Sequence, residues 1–193
     1  MKEYKFEYSC PLLLSNDRQL NPYLEVEDFF NGASLGYYRG ELRSWFRIAM
    51  SENRKVKNHS EMIYFHNQLI QLFHAGYLIT VNTNTDYTET IERFREWFKK
   101  IRHLKIDEGT GIDGNYEIHF LSDDEKTNPL LHLKNILTLG RISEIRFGLQ
   151  EWQYCSFNSK STIATMDCEY LTDLLNDMGK VMEILFLLLA GDE

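Results

Sequence analysis

Apolar residues recur every three or four positions along most of this chain, which is the spacing of an amphipathic α-helix. One such run follows Ser34, whose hydroxyl can cap the first helical turn by accepting a backbone N–H. Its apolar positions are Leu35, Tyr38, Leu42, Trp45, Phe46 and Ala49. The same spacing indicates helices over about 22–31, 60–79, 129–139 and 167–190. A further helix follows Asp86 and places Ile91, Phe94, Phe98 and Ile101 on one face. The pattern therefore predicts a mainly α-helical bundle.

Two Asn-Pro pairs mark helix starts. The side chains of Asn21 and Asn128 can each accept an orphan amide, and Pro22 and Pro129 lose no hydrogen bond at the first helical position. Gly140 is expected to end the second of these helices as its C-cap.

Two short segments alternate apolar and polar residues, which is typical of half-buried strands. They are Tyr116, Ile118 and Phe120 near the middle of the chain, and Tyr4, Phe6 and Tyr8 near its start. We expect them to pair as a minor two-stranded β element. The Gly109–Gly114 segment between them has the letters GxGxxG, but a helix is predicted before it and a strand after it. A dinucleotide site needs the reverse order, so this segment is interpreted as a linker.

The chain resembles itself at an offset of 107 residues. From Ser15 to Met50, eight of 36 positions are identical to the residue 107 places later, where composition alone would give about two. The repeat favours a helix over 142–152, because the matching segment of the first half is a predicted helix. The alternating pattern of this segment would also fit a strand. We predict two tandem helical repeats of about three helices each, over 1–106 with one extra helix and over 107–193, packed as one compact unit.

Charge is distributed unevenly between these halves. Residues 1–105 hold 15 Lys and Arg against 13 Asp and Glu, whereas residues 106–193 hold 6 against 16, and the whole chain carries −8. An acidic balance argues against general nucleic-acid binding.

The sequence also bears on where the protein is located. Three widely spaced cysteines match no disulfide framework, and the longest apolar run, 184–190, is too short to cross a bilayer. The charged residues among the first ten argue against a secretion signal, so we expect a cytoplasmic protein without a membrane segment.

The repeated Arg-x-x-Leu-x-x-Trp motif suggests a structural role. Trp45 and Trp152 are expected in the core. Arg39 is expected to pair with Asp17, and Arg146 with Asp124, because these carboxylates also recur at the same offset. The alternative is that the two arginines line a shared anion pocket.

No convergent catalytic signature is present, which favours a non-enzymatic protein-interaction or regulatory module. Interfaces are rich in Tyr, Trp and Arg, so Tyr37, Tyr38, Arg43 and Arg47 are the candidate anchors. We expect a protein partner, with self-association through the unequal charges as a second option. A second basic cluster, Lys99, Lys100 and Arg102, would serve the alternative of a nucleic-acid-binding regulator.

Arg54 and His59 have an Arg-x4-His spacing at a predicted helix start. This spacing resembles the ribonuclease signature of HEPN domains, which are small and all-helical. The resemblance implies that the two side chains would stabilise and protonate a scissile phosphate, and a HEPN-like ribonuclease is the enzymatic alternative.

The histidines at 59, 66 and 74 share one helix face. Their axial separations of about 10 and 12 Å are too large for any two of them to bind the same metal ion. We expect neither a metal nor another cofactor.

Overall fold

A computed structural model describes residues 14–52, 56–82, 86–107, 116–158, 160–162 and 166–191, with the backbone alone for 102–107. These residues form helices and no strand. The helices are α1 (Asn16–Leu20), α2 (Tyr23–Gly32), α3 (Leu35–Ala49), α4 (His59–Val81), α5 (Thr88–Asp107), α6 (Asp123–Thr127), α7 (Pro129–Ile136), α8 (Leu139–Asn158) and α9 (Cys168–Ala190). The predicted mainly α class is confirmed.

Side-chain caps fix the starts of the longer helices, because each supplies an acceptor to amides that have none within the helix. Ser34 accepts from the N–H of Tyr37 at the start of α3. Asn58 caps α4, two residues before the predicted Ser60. Asp167 caps α9, and Asp86 accepts from the N–H of Thr88 ahead of α5.

The predicted helix over 129–139 is wrong at its end. Helix α7 stops at Ile136, and Gly140 lies inside α8. The chain turns at Leu137, whose side chain is buried and whose N–H bonds to the carbonyl of Leu133. The hydroxyl of Thr138 then accepts from the N–H of Arg141 and caps α8. A polar cap at 138 therefore starts a new helix before Gly140 is reached.

The predicted strand over 116–120 is also wrong. Its amides bind a side chain: the N–H groups of His119 and Phe120 donate to Glu183 Oε1 and Oε2, at 2.9 and 2.6 Å. Arg39 donates to the carbonyl of Glu117. Because one buried carboxylate takes both amides, this segment needs no partner strand. The expected partner over residues 4–8, and the Gly109–Gly114 linker, lie outside the described residues.

The core lies between the two longest helices, α4 and α9, and the pair α3 and α8 that packs across them. Trp45 and Trp152 are fully buried where α3 meets α8, and their rings form an edge-to-face contact with centroids 5.9 Å apart. This burial agrees with the prediction that both tryptophans lie in the core. Helix α2 packs on α4, α7 packs on α9, and α5 lies against α2 and α9.

None of the described helices has the length and apolar character needed to span a bilayer.

Candidate interaction surface

Tyr37 and Tyr38 were predicted as anchors of one surface, and the structure separates them. Consecutive helical residues point about 100° apart. Tyr37 is 55% exposed, whereas Tyr38 is 3% exposed and donates from its hydroxyl to the carbonyl of Phe29 at 2.8 Å. The Tyr38 ring stacks on Phe29 and Phe65. Tyr38 is therefore part of the core, and its assignment as an interface anchor is corrected.

Arg43 and Arg47 are exposed, but they lie on the other flank of α3 from Tyr37. The helical spacing turns them about 120° and 80° away from it. The guanidinium of Arg43 lies over the ring of Phe120, 5.1 Å from its centroid. The predicted set of two tyrosines and two arginines therefore does not form one face.

Tyr37 instead shares a surface with α4. Tyr64 is 65% exposed, and its hydroxyl accepts from the amide of Gln68 at 3.2 Å. The carboxylate of Glu41 raises the pKa of Tyr37, with smaller contributions from burial and from Glu61. Both charges that act on Tyr37 are negative. We call Tyr37, Glu41, Glu61 and Tyr64 the tyrosine face.

The core beneath holds this face in position. Burial, with smaller contributions from Tyr64 and Tyr37, raises the pKa of Tyr38 to about 12. The Tyr37 and Tyr38 rings meet edge to face with centroids 5.6 Å apart. The exposed tyrosines therefore project from two helices whose side chains meet at Tyr38 and Phe65.

Three members of the tyrosine face were not among the predicted site residues. Glu41 lies one turn after Tyr37, and Glu61 and Tyr64 lie three apart, so each pair is recognisable as one helix surface. The sequence does not show that this part of α4 lies beside α3. Only the contact between α3 and α4 in the folded protein identifies these residues as one surface.

Arg39 forms an ion pair that differs from the predicted one. Its Nη1 donates to Glu183 Oε1 at 2.6 Å, and the side chains are 5% and 0% exposed. Asp17, the predicted partner, is exposed on α1. Arg39 points from α3 into the core towards α9, so the partner comes from the opposite end of the chain.

The other predicted pair joins Arg146 on α8 with Asp124 on α6. Arg146 lies near His74 on α4, and Asp124 is exposed on α6. Burial and, to a smaller extent, the charge of Arg146 lower the pKa of His74 to about 4. His74 is 1% exposed. It is therefore a buried neutral histidine at ordinary pH.

The residues of the two alternative functions are described only in part. Lys99 and Lys100 are exposed on α5, and the side chain of Arg102 lies outside the described residues. Arg54 also lies outside them. His59 is exposed at the start of α4, with its ring edge-on to Phe157 at 4.5 Å between centroids.

A polar cleft of about 550 Å³ lies where residues 119–120 meet α8 and α9. Two of its cations are already paired. Arg141 bonds to Asp177 and Glu144, and Lys180 bonds to Glu125 at 2.6 Å. Lys180 is the main cause that lowers the pKa of Glu125 to about 2. Across the described part of the chain, His, Cys, Asp and Glu form no group of three or more suited to a metal ion.

Comparison of the chain with protein-family models, with curated proteins and with solved structures yields no significant match. The chemistry of the described surfaces is therefore the basis for a functional assignment.

Proposed function

We propose that this protein is a non-enzymatic protein-interaction module whose tyrosine face binds a partner segment that carries Lys or Arg. The supporting observation is that Tyr37 and Tyr64 are 55% and 65% exposed on adjoining helices and have Glu41 and Glu61 beside them. Exposed tyrosines supply large contact areas and a hydrogen-bonding hydroxyl. They are also the residues in which interface energy concentrates.

The carboxylates define the partner's chemistry. A lysine or arginine entering between Glu41 and Glu61 would gain two favourable charge interactions and could lie over a tyrosine ring as a cation–π contact. An acidic segment would be repelled by the same two groups. The underlying packing of Tyr38 on Phe65 supports a rigid surface, which reduces the entropy lost on binding.

We also propose that the module consists of two tandem helical repeats. At the 107-residue offset, α1 coincides with α6 residue for residue, and α2, α3 and α4 overlap α7, α8 and α9. The packing recurs too: α2 lies on α4 as α7 lies on α9, and α3 lies on α9 as α8 lies on α4. The matched Trp45 and Trp152 meet each other, as residues near a pseudo-twofold axis would. Helix α5 is then the extra helix.

The repeat proposal is tested by related sequences. If it holds, their first and second halves will align at the same offset and keep the Arg-x-x-Leu-x-x-Trp motif in both. Relatives in which the two halves show no similarity beyond composition would overturn it.

The function is tested by affinity purification from the native host at moderate salt, followed by mass spectrometry and a nucleic-acid stain. We compare the parent protein with Tyr37→Ala/Tyr64→Ala. Tyr154→Ala is the matched control, because Tyr154 is 51% exposed on a different helix, α8, where it contacts Lys160. Circular dichroism verifies that each variant is folded.

We expect one stoichiometric protein partner with the parent and with Tyr154→Ala, and at least about tenfold weaker binding of that partner to Tyr37→Ala/Tyr64→Ala. Equal recovery by all three proteins would refute the assignment to the tyrosine face. Recovery of RNA or DNA without a protein partner would refute the interaction module and favour the nuclease or nucleic-acid-binding alternatives.

A further inference from the structure

Helix α5 and Tyr87, the residue before it, cover one flank of α2 through three side-chain contacts. Asn21, just before α2, donates to Thr90 Oγ1 at 2.9 Å. The rings of Tyr23 and Tyr87 lie 5.0 Å apart. Glu27 accepts from Arg93 Nε at 3.0 Å and pairs with the same guanidinium through its second oxygen. Under this cover, Tyr23 is 8% exposed and Glu27 is 9% exposed.

The matching flank of α7 is open. The residues 107 places after these three are Asn128, Leu130 and Lys134, and all are exposed. Leu130 is 42% exposed, and its neighbour Leu131 is 56% exposed. We call Asn128, Leu130, Leu131 and Lys134 the α7 face. It combines two exposed leucines with one exposed cation.

We infer that the α7 face binds an amphipathic helix of a partner protein, in the manner in which α5 covers α2. This inference rests on the repeat architecture within the proposed function. The flank on α2 is closed by an amphipathic helix with Phe94 and Phe98 on its buried side, so a helix of the same kind fits the corresponding flank of α7.

The charge on the α7 face determines the charge that the partner helix must carry. Where α2 has Glu27 and receives Arg93, α7 has Lys134. A helix docked in the same way must therefore present a carboxylate where α5 presents an arginine. Leu130 of α7 occupies the position that Tyr23 has in α2, so the docked helix would meet an aliphatic side chain near its start and not an aromatic one. The occupant is thus an acidic amphipathic helix, unlike α5 itself.

This requirement gives a direct test with two synthetic peptides. One has the sequence of residues 86–101, and the other is the same peptide with Arg93→Glu. Each is titrated into the isotope-labelled full-length protein, and amide chemical shifts give both the site and the affinity. The protein variants are Lys134→Glu and, as matched control, Lys99→Glu, which makes the same charge change on the exposed side of α5.

We expect the Arg93→Glu peptide to shift the amides of Leu130, Leu131 and Lys134. It should bind about threefold more tightly than the unmodified peptide, which is the effect of one exposed ion pair. Lys134→Glu should reverse that order, and Lys99→Glu should leave it unchanged. The Tyr37→Ala/Tyr64→Ala protein should bind both peptides like the parent, so failure of the tyrosine face would leave this result intact.

Four outcomes would overturn the inference. The amides of α7 could fail to shift with either peptide, or the order of affinity could survive Lys134→Glu. The peptide could also shift α2 and α9 instead, which would mean that it displaces the chain's own α5. A concentration-dependent dimer that is lost in Leu130→Asp would replace the partner helix with a second copy of this chain.

Discussion

Arg39 and Glu183 form an ion pair between α3 and α9 that is almost sealed from water. The carboxylate accepts from Arg39 and from the backbone N–H groups of His119 and Phe120, and Arg39 also donates to the carbonyl of Glu117. We call this arrangement the clamp, because it ties residues 117–120 to the core. Substituting Arg39→Met removes the cation and leaves the carboxylate buried among two amides.

The expected cost follows from that stranded charge. Removing one partner of a buried ion pair destabilises a protein by about 3–5 kcal/mol, since the remaining ion has lost both water and its counter-ion. A domain of this size has a free energy of unfolding of only about 5–15 kcal/mol. Glu183→Gln should cost a similar amount by stranding Arg39. The double variant should cost at least about 2 kcal/mol less than the two losses added, because neither ion then remains.

Urea unfolding followed by tryptophan fluorescence measures these costs, with the buried Trp45 and Trp152 as probes. Hydrogen exchange at the amides of His119 and Phe120 gives an independent measure and should accelerate in both single variants. Arg47→Met is the control, because Arg47 is exposed on the same helix. The reasoning is refuted if Arg39→Met unfolds within about 1 kcal/mol of the parent, or if the two single losses are additive.

Two further predictions concern His74 and two helical glycines. Because burial lowers the pKa of His74 to about 4, the unfolded state binds the proton first, and stability is lost as pH falls through about 6.5 towards 4. The parent should lose about 2 kcal/mol more than His74→Gln between pH 7 and pH 5 in urea titrations, and equal losses would contradict this. Gly179→Ala should destabilise by about 1–3 kcal/mol, because its Cβ would lie 2.8 Å from the Phe120 ring. Gly40→Ala, with nothing within 4 Å, should stabilise by about 0.5–1 kcal/mol, and thermal melts showing the same sign for both would contradict the packing argument.

Most helix positions could be predicted because their signals are local. Ser34 caps α3 as expected, and Asp167 caps α9 at the predicted start of that helix. The apolar spacing that follows each of them marks the buried face. The end of α7 was mispredicted because Gly140 was given more weight than Thr138, which caps the next helix. The choice between these two signals depends on the burial of Leu137, which is a tertiary property.

The candidate surface could be predicted only in part, since its members come from two helices. Tyr37 was identified from its residue type, and Tyr38 was wrongly included for the same reason. Periodicity could have separated them, because Tyr38 keeps the spacing of Leu42 and Trp45, whereas Tyr37 does not. Tyr64 and Glu61 carry no signal that pairs them with Tyr37. That pairing is set by the contact of Tyr38 on α3 with Phe65 on α4 beneath the tyrosine face.

The clamp also explains why an alternating pattern did not produce a strand. Tyr116 stacks on Phe186, and Phe120 lies against Gly179, so one side of this segment is half-buried, the other side is exposed, and the alternation is real. A period of two requires only that alternate side chains be buried; it does not specify what satisfies the backbone amides. Here Glu183 satisfies two of them from within the apolar face of α9. In this chain the carboxylate of Glu183, at a core position of α9, therefore holds an irregular segment beside the helix without a second strand.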